Sequence, residues 1–238
     1  MNFTPPLQPA TLIERYKRFL ADVTLADGNT ITVHVSNTGA MTGCGSPGDT
    51  VWLSHSDNPK RKHAYSWELT QTSTQHFICV NTIRANQLVE QALLADELAP
   101  LTGYRHLKRE AKYGEEKSRI DFLLTDPERA DCYVEVKSVT LLADNQGQGL
   151  FPDAVTVRGQ KHLRELIKVK QSGKRAVLLF AVLHTGIDRV SPAKLVDSVY
   201  TDLINQALMA GVEIFAYKAQ LTETNWHLSQ PIPFIPSK

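Results

Sequence analysis

Within the segment Cys132-Tyr133-Val134-Glu135-Val136-Lys137-Ser138-Val139, a carboxylate and an ammonium stand two residues apart. Successive side chains of a strand point to opposite faces, so in an extended segment Tyr133, Glu135 and Lys137 share one face, and Val134 and Val136 the other. Upstream, Ile120, Phe122 and Leu124 make an apolar face that leaves Asp121 opposite them; a hairpin joining the two segments sets Asp121 beside Glu135. Two converging carboxylates suit a hard divalent cation, Mg²⁺ or Mn²⁺, which takes oxygen ligands and keeps several waters. The chemistry such a set serves is phosphodiester hydrolysis. The cation offsets charge developing on the phosphoryl oxygens and lowers the pKa of a bound water, while Lys137 positions that water or neutralises charge in the transition state. No His or Cys lies at zinc-ligand spacing near these acids. Glu-x-Lys by itself is ordinarily a solvated pair on a half-exposed strand, so the surrounding elements decide its meaning.

From Asn81 the apolar positions Ile83, Leu88, Val89, Ala92, Leu93 and Leu98 follow a helical period, ended by Ala99-Pro100. Leu107–Tyr113, Arg119–Leu124 and Cys132–Val139 then read as three strands, separated by the turns Gly114-Glu115-Glu116-Lys117 and Thr125-Asp126-Pro127-Glu128. Connections this short predict an antiparallel meander. After a Gly-rich loop, Asp144 to Gly149, the spacing predicts a helix over Thr156–Gln171 with Leu163, Leu166 and Ile167 facing inward, and a buried strand over Ala176–Leu183. A long amphipathic helix, Pro192–Ala210, and a strand, Val212–Ala219, complete this part of the chain. An Asp on the neighbouring strand, a preceding helix and a following basic helix together match the core order of PD-(D/E)XK nucleases.

The first eighty or so residues read as all-β. Glu14–Leu25 leads through Ala26-Asp27-Gly28-Asn29 into the alternating run Ile31–Val35, a hairpin. The turn-rich stretch Asn37–Asp49 delivers Val51-Trp52-Leu53, and the runs His63–Gln71 and His76–Val80 follow. Five short strands make a small Greek-key barrel, OB-like or SH3-like. The fold class expected is therefore α+β in two domains. Residues 1–80 form an OB-like five-stranded barrel; residues 81–238 form an α/β, restriction-endonuclease-like mixed sheet flanked by helices.

Charge and composition set the class of partner. Hydrophobic residues at 42% and charged residues at 21% are globular averages, with neither a bilayer-spanning run nor a secretory leader, so a cytoplasmic location without membrane contact is expected. Cys44, Cys79 and Cys132 are odd in number and scattered, and read as reduced, packed thiols. A net charge of +1 gives no global pull on a polyanion, but seven basic residues against one acid lie between Arg158 and Arg175. On the predicted helix Gln160 and Arg164 share a face, with Lys161 beside them. Together with Arg158, and with Arg119 next to the acids, they are the expected phosphate contacts. On the barrel, Arg15, Lys17, Arg18, Lys60, Arg61 and Lys62 flank Tyr16 and Trp52, rings that either stack on single strands or fill the barrel; Trp52 is assigned to the core. His34, His55, His106, His162 and His184 read as structural or surface residues.

Several segments carry a resemblance. They are Tyr113-Gly114 with Ser118–Phe122, Tyr133–Leu141, Phe151–Val155 and Arg158–Leu163, with Arg15–Phe19, Asn37–Met41, Gly48–Trp52 and Trp67–Leu69 near the N-terminus. Over essentially the whole chain these resemble the sugar fermentation stimulation protein A family. The resemblance implies an OB-like domain followed by a PD-(D/E)XK-type domain, largely sequence-non-specific DNA binding, and a regulatory role in sugar (maltose) metabolism. By position in the nuclease superfamily, Asp121 is the first acid, Glu135 the second and Lys137 the lysine. A further metal ligand from the first helix falls on Glu90, and Ile120 stands where the motif's proline would be. The leading reading is a Mg²⁺- or Mn²⁺-dependent nuclease acting on DNA, single- or double-stranded, or on RNA, in a monomer or homodimer. The alternatives are a non-catalytic DNA-binding transcriptional regulator that keeps the nuclease scaffold, and a nucleotide- or protein-binding module.

Overall fold

The apolar run expected to form a central strand does so because it is buried on both sides. In the computed structural model β12 (Arg175–Val182) lies between β9 (Arg129–Val139) and β14 (Glu213–Leu221), parallel to both. Val177, Leu179 and Ala181 face one core, and Ala176, Leu178, Phe180 and Val182 the other. Alternation of polarity has no reason to appear in such a strand. The structure describes residues 1–116, 118–144 and 146–236; Lys117 and Asn145, which fall in two of the predicted turns, lie outside the described residues.

The meander is formed by β7 (His106–Tyr113), β8 (Ser118–Asp126) and β9, all antiparallel. With β15 (Trp226–Ile232) the six-stranded sheet runs β15-β14-β12-β9-β8-β7. The parallel pairs need crossovers, and these are α2 (Val157–Gln171) and α3 (Ser198–Met209). Both helices pack on one face of the sheet, while α1 (Ile83–Leu94) covers the other. The result is the mixed sheet flanked by helices that the order of elements predicts. Thr156 caps α2, its hydroxyl accepting from the Gly159 amide, as a Thr preceding an apolar stripe should.

Several boundaries differ from the sequence reading. The expected helix Pro192–Ala210 begins only at Ser198, capped by Asp197, whose carboxylate accepts from the Tyr200 amide. Arg189–Pro192 is a strand, β13, parallel to β11 (Gln148–Phe151). With β10 (Leu141–Leu142) these form a three-stranded sheet where a Gly-rich loop was expected. Such two- to four-residue strands carry no period to read. The strand β15 has no counterpart in the sequence reading; Pro231 and Pro233 obscure it, and among the described residues it pairs in the sheet with β14 alone.

The N-terminal barrel consists of β1 (Gln8–Tyr16), β2 (Leu20–Leu25), β3 (Thr30–Val35), β4 (Thr50–His55) and β5 (Tyr65–Gln71), closed by a parallel β3–β5 contact, with β6 (Phe77–Cys79) added beside β5. The segment read as one strand, Glu14–Leu25, is two. Lys17 and Arg18 turn the chain at φ of 48° and 66°, held by the Arg15 guanidinium on the Arg18 carbonyl. Neither residue is a usual occupant of the left-handed region, so the turn gave no signal. Trp67, with Val23, Val33, Val51 and Leu53, fills the barrel; Trp52 instead packs outside it, tilted against Phe77, on the core shared with α1. No helix among the described residues is long and apolar enough to cross a membrane.

Barrel and sheet are joined by backbone pairing and by one buried charge. Cys79 N–H donates to the Leu183 carbonyl, and Phe77 and Thr185 exchange bonds. Glu68, 1% exposed on β5, accepts from Ser54 Oγ (2.7 Å), Asn81 Nδ2 (2.9 Å) and, through both oxygens, from Arg84 on α1 (2.8 and 3.0 Å). Removing one partner of a buried ion pair strands the other. Glu68→Ala is accordingly expected to lower unfolding free energy by about 3 kcal/mol, with Glu68→Gln falling between it and wild type, in urea titrations read by Trp fluorescence.

Candidate metal and nucleic-acid site

Asp121 lies where β8 and β9 part. Their ladder is regular from Leu124↔Cys132 to Phe122↔Val134 and goes no further toward Asp121. Beyond it the Asp121 carboxylate enters the gap: Oδ2 accepts from the Val136 amide at 2.7 Å, replacing a ladder bond, and Oδ1 accepts from Asn86 Nδ2 at 2.8 Å. The alternation breaks here. Phe122 and Leu124 pack on the α1 side, but Ile120 packs with Tyr133 and Leu163 on the α2 side, so the single apolar face expected for 120, 122 and 124 is not formed.

Glu135 and Lys137 do share a face, the one covered by α2. Lys137 Nζ donates to Glu135 Oε1 at 2.6 Å, and His162 Nδ1 makes a closer contact with the same oxygen. Nδ1 also lies 3.2 Å from Lys137 Nζ. One nitrogen cannot both donate to the carboxylate and accept from the ammonium, and with either tautomer the imidazole and the ammonium flank one oxygen. Glu135 is 2% exposed, and its Oε2 is buried with no partner within the protein.

The two acids are held in opposite electrostatic states. Burial, and after it the charge of Glu135, push the Asp121 carboxyl above its usual range, against the Val136 amide, Asn86 and Lys137. Burial also pushes Glu135 upward, but the His162 hydrogen bond and the charges of Lys137 and His162 outweigh it and hold that carboxyl below the ordinary glutamate value. The Tyr113 phenol is driven far upward by burial and then by the charges of Glu135, Glu165 and Asp121.

Other predicted site residues fare differently. Glu90 does not join the acids; it pairs with Arg109 at 3.3 Å, and Asn86, one turn earlier on the same face of α1, meets Asp121. Gln160 donates to both oxygens of Asp197 at 3.0 Å, tying α2 to α3. Arg15 spends its guanidinium on the carbonyls of Arg18, Asn37 and Gly39, and Arg61 donates to Ser66. Lys161 binds the Glu116 carbonyl, and Arg164 the Glu116 carboxylate at 3.0 Å. Lys17, Arg18, Lys60, Lys62, Arg119 and Arg158 are exposed and make no ion pair among the described residues. The Tyr16 ring is half-buried, its hydroxyl donating to Asp22.

His162, expected from sequence to be structural or at the surface, is instead buried against Glu135. Its signal was position: it stands four residues before Leu166 and joins Leu163, Leu166 and Val169 on the buried side of α2, an odd place for an imidazole without a partner.

The opposed shifts make a pH prediction. A carboxyl whose pKa rises on folding makes the native state the tighter proton binder, so its contribution falls as pH climbs through that range and stays lost above it. One whose pKa falls contributes above its unfolded value and loses that as pH drops through the folded one. In chelator-treated protein, the melting temperature of Asp121→Asn relative to wild type should therefore rise from acid to neutral pH, and that of Glu135→Gln should fall. Thermal melts between about pH 3 and about pH 8 measure both trends.

The comparisons with known proteins bear on family and fold. Residues 13–80 match the SfsA N-terminal OB domain, and residues 83–225 match the SfsA family described as the sugar fermentation stimulation protein RE domain. The structure of Pyrococcus furiosus SfsA in complex with Ca²⁺ superposes with a TM-score of 0.86 at 27% identity, covering 99% of this chain and 98% of that one. The small subunit R.BspD6I2 of the heterodimeric restriction endonuclease R.BspD6I aligns over 56% of this chain and 62% of its own, at 15% identity and a TM-score of 0.27, too slight to bear on fold or function. With the RE-domain match alone extending over more than half of its residues, the chain belongs to the SfsA, or sugar fermentation stimulation protein, family.

Proposed function

We propose that this chain binds DNA largely without regard to sequence and hydrolyses phosphodiester bonds at a divalent-metal site formed by Asp121 and Glu135, with Lys137 beside it. In this reading residues 1–80 and 81–238 act as two domains, the barrel holding the strand that the second domain cuts. The observation that carries the proposal is that Asp121, at the fork between β8 and β9, accepts from the amide of Val136, the residue next to Glu135, while Glu135 Oε2 is buried with no partner in the protein.

The residues fit a hard cation. Among the described residues no three His, Cys, Asp or Glu side chains stand at common ligand spacing, which disfavours a zinc-type cage. Mg²⁺ and Mn²⁺ do not need one, since one or two carboxylates, waters and substrate phosphate complete their shells. When bound, such an ion supplies charge neutralisation at the phosphoryl oxygens and an acidified water. The protein's part is to orient its own groups. Asn86 and the Val136 amide aim the Asp121 carboxylate, His162 and Lys137 keep Glu135 ionised, and the Lys137 ammonium stays within reach of a phosphate. The Ca²⁺ complex of the Pyrococcus furiosus protein supports a divalent ion in this fold. The family's description as a sugar fermentation stimulation protein supports a regulatory role in sugar (maltose) metabolism.

A second reading is a DNA-binding transcriptional regulator without turnover. It is favoured by the fact that both Asp121 oxygens, and Oε1 of Glu135, already have partners in the protein.

Mg²⁺- or Mn²⁺-dependent cleavage is expected on at least one of duplex, single-stranded or branched DNA or RNA. Asp121→Asn, Glu135→Gln and Lys137→Ala should each reduce it by about 10²-fold or more while leaving DNA affinity within a factor of about 3. DNA binding with no hydrolysis of any of these substrates selects the second reading. In filter-binding titrations, Arg119→Ala combined with Arg158→Ala should flatten the plot of log K against log salt by about 1 to 2 slope units, whereas Glu90→Gln should leave it unchanged.

A further inference from the structure

On the α2 side of the sheet, four buried polar atoms have no partner in the protein: Tyr113 Oη, Ser118 Oγ, Glu135 Oε2 and Glu165 Oε2. Tyr113 and Ser118 face each other across the β7–β8 ladder. The Tyr113 ring lies 5.8 Å from that of Tyr133, the neighbour of Glu135 on the same face of β9, and both rings line one cleft with Glu165. Glu165, on α2, is 0% exposed.

The placement of Glu165 is built in. Its Oε1 accepts from the Glu116 amide at 2.8 Å, and its Oε2 lies over Gly114, only 1.0 Å from where a Cβ at that position would sit. Gly114 also has φ of +71°, so the turn gives up a side chain both for its backbone shape and for the carboxylate above it. Buried charges are paired or coordinate metals. Glu165 has no ion pair among the described residues, although cations surround it: Lys161 is turned onto the Glu116 carbonyl, Arg164 onto the Glu116 carboxylate and Lys168 onto Glu115. These three cations of α2 are thus spent on Glu115 and Glu116, and none of them pairs with Glu165.

We propose that Glu165, with Tyr113, Ser118 and the free Oε2 of Glu135, forms a second oxygen-donor site for a hard divalent cation. It adjoins the Asp121–Glu135 pair and shares Glu135 with it, so it rests on the reading of that pair as a metal site. Two carboxylates and two neutral hydroxyls are the donor chemistry that Mg²⁺ and Mn²⁺ accept, and a shared carboxylate between two ions is the arrangement used where both the entering and leaving oxygens of a phosphoryl group need charge neutralisation. Tyr113 and Ser118 act as neutral donors and keep their protons.

The test is Mn²⁺ titration of the full chain, with free ion read by electron paramagnetic resonance, on wild type, Glu165→Gln, Asp121→Asn and Tyr113→Phe. Glu165→Gln keeps an oxygen to accept from the Glu116 amide, and circular dichroism verifies its fold. Two Mn²⁺ per chain in wild type, one in Glu165→Gln and one in Asp121→Asn, with the weaker Kd raised about tenfold in Tyr113→Phe, is the expected result. Two ions retained by Glu165→Gln overturns the proposal. A single wild-type ion, lost in Asp121→Asn and kept in Glu165→Gln, overturns it as well and leaves the site of the preceding section standing. A single ion lost only in Glu165→Gln supports Glu165 and removes Asp121 as a ligand; no ion in wild type sinks both.

Discussion

A carboxylate at Glu135, almost wholly out of water, has to be kept ionised, and much of the C-terminal domain is arranged around that requirement. Taking a carboxylate out of water costs several kcal/mol unless charge and hydrogen bonds offset it. Lys137 meets part of this from the same strand, two residues on, where alternation puts it on the same face. His162 meets the rest from α2, a crossover helix that the parallel pairing of β9 and β12 obliges to lie over that face. The crossover topology and the charge pairing therefore support one another: α2 brings the imidazole, and the imidazole gives α2 a fixed point on the sheet.

Asp121 stands in contrast. It occupies a break in the ladder rather than a face of the sheet, and its hydrogen bonds come from the Val136 amide in the sheet and from Asn86 on α1. Two residues before Asn86, Arg84 grips Glu68 of the barrel with both its oxygens. A short path of buried or half-buried polar contacts thus runs from β5 of the barrel through one turn of α1 to the first acid of the site.

The basic helix illustrates how charge counted along a chain differs from charge offered to a partner. Of the cations between Arg158 and Arg175, Arg164 and Lys168 meet Glu116 and Glu115, Lys174 meets Asp131, and Arg175 forks onto Glu213. These are mostly exposed pairs worth little to stability, yet each lowers the positive potential of the helix. Arg158 keeps its charge toward solvent, as does Arg119 on β8, two residues before Asp121. The positive charge this stretch leaves without an acidic partner is smaller than its run of seven basic residues suggests.

The residues themselves determined whatever rests on local periodicity. The meander, the capped α2, the doubly buried β12 and the common face of Glu135 and Lys137 all follow from alternation, helical spacing and turn chemistry within a few residues, and so does the barrel's content of short strands. Tertiary structure decided what depends on chain segments far apart: that Asn86 and not Glu90 reaches Asp121, that His162 completes the Glu135 pair, that Gln160 serves Asp197, and that Trp67 rather than Trp52 fills the barrel. A one-turn choice on a helix, a break in alternation at Asp121, or a left-handed turn at Lys17 and Arg18 leaves no mark in composition. The first two are fixed by hydrogen bonds from Asn86 and Val136, on other elements, and hydrogen bonds, unlike hydrophobic pattern, have no period to announce where a partner lies.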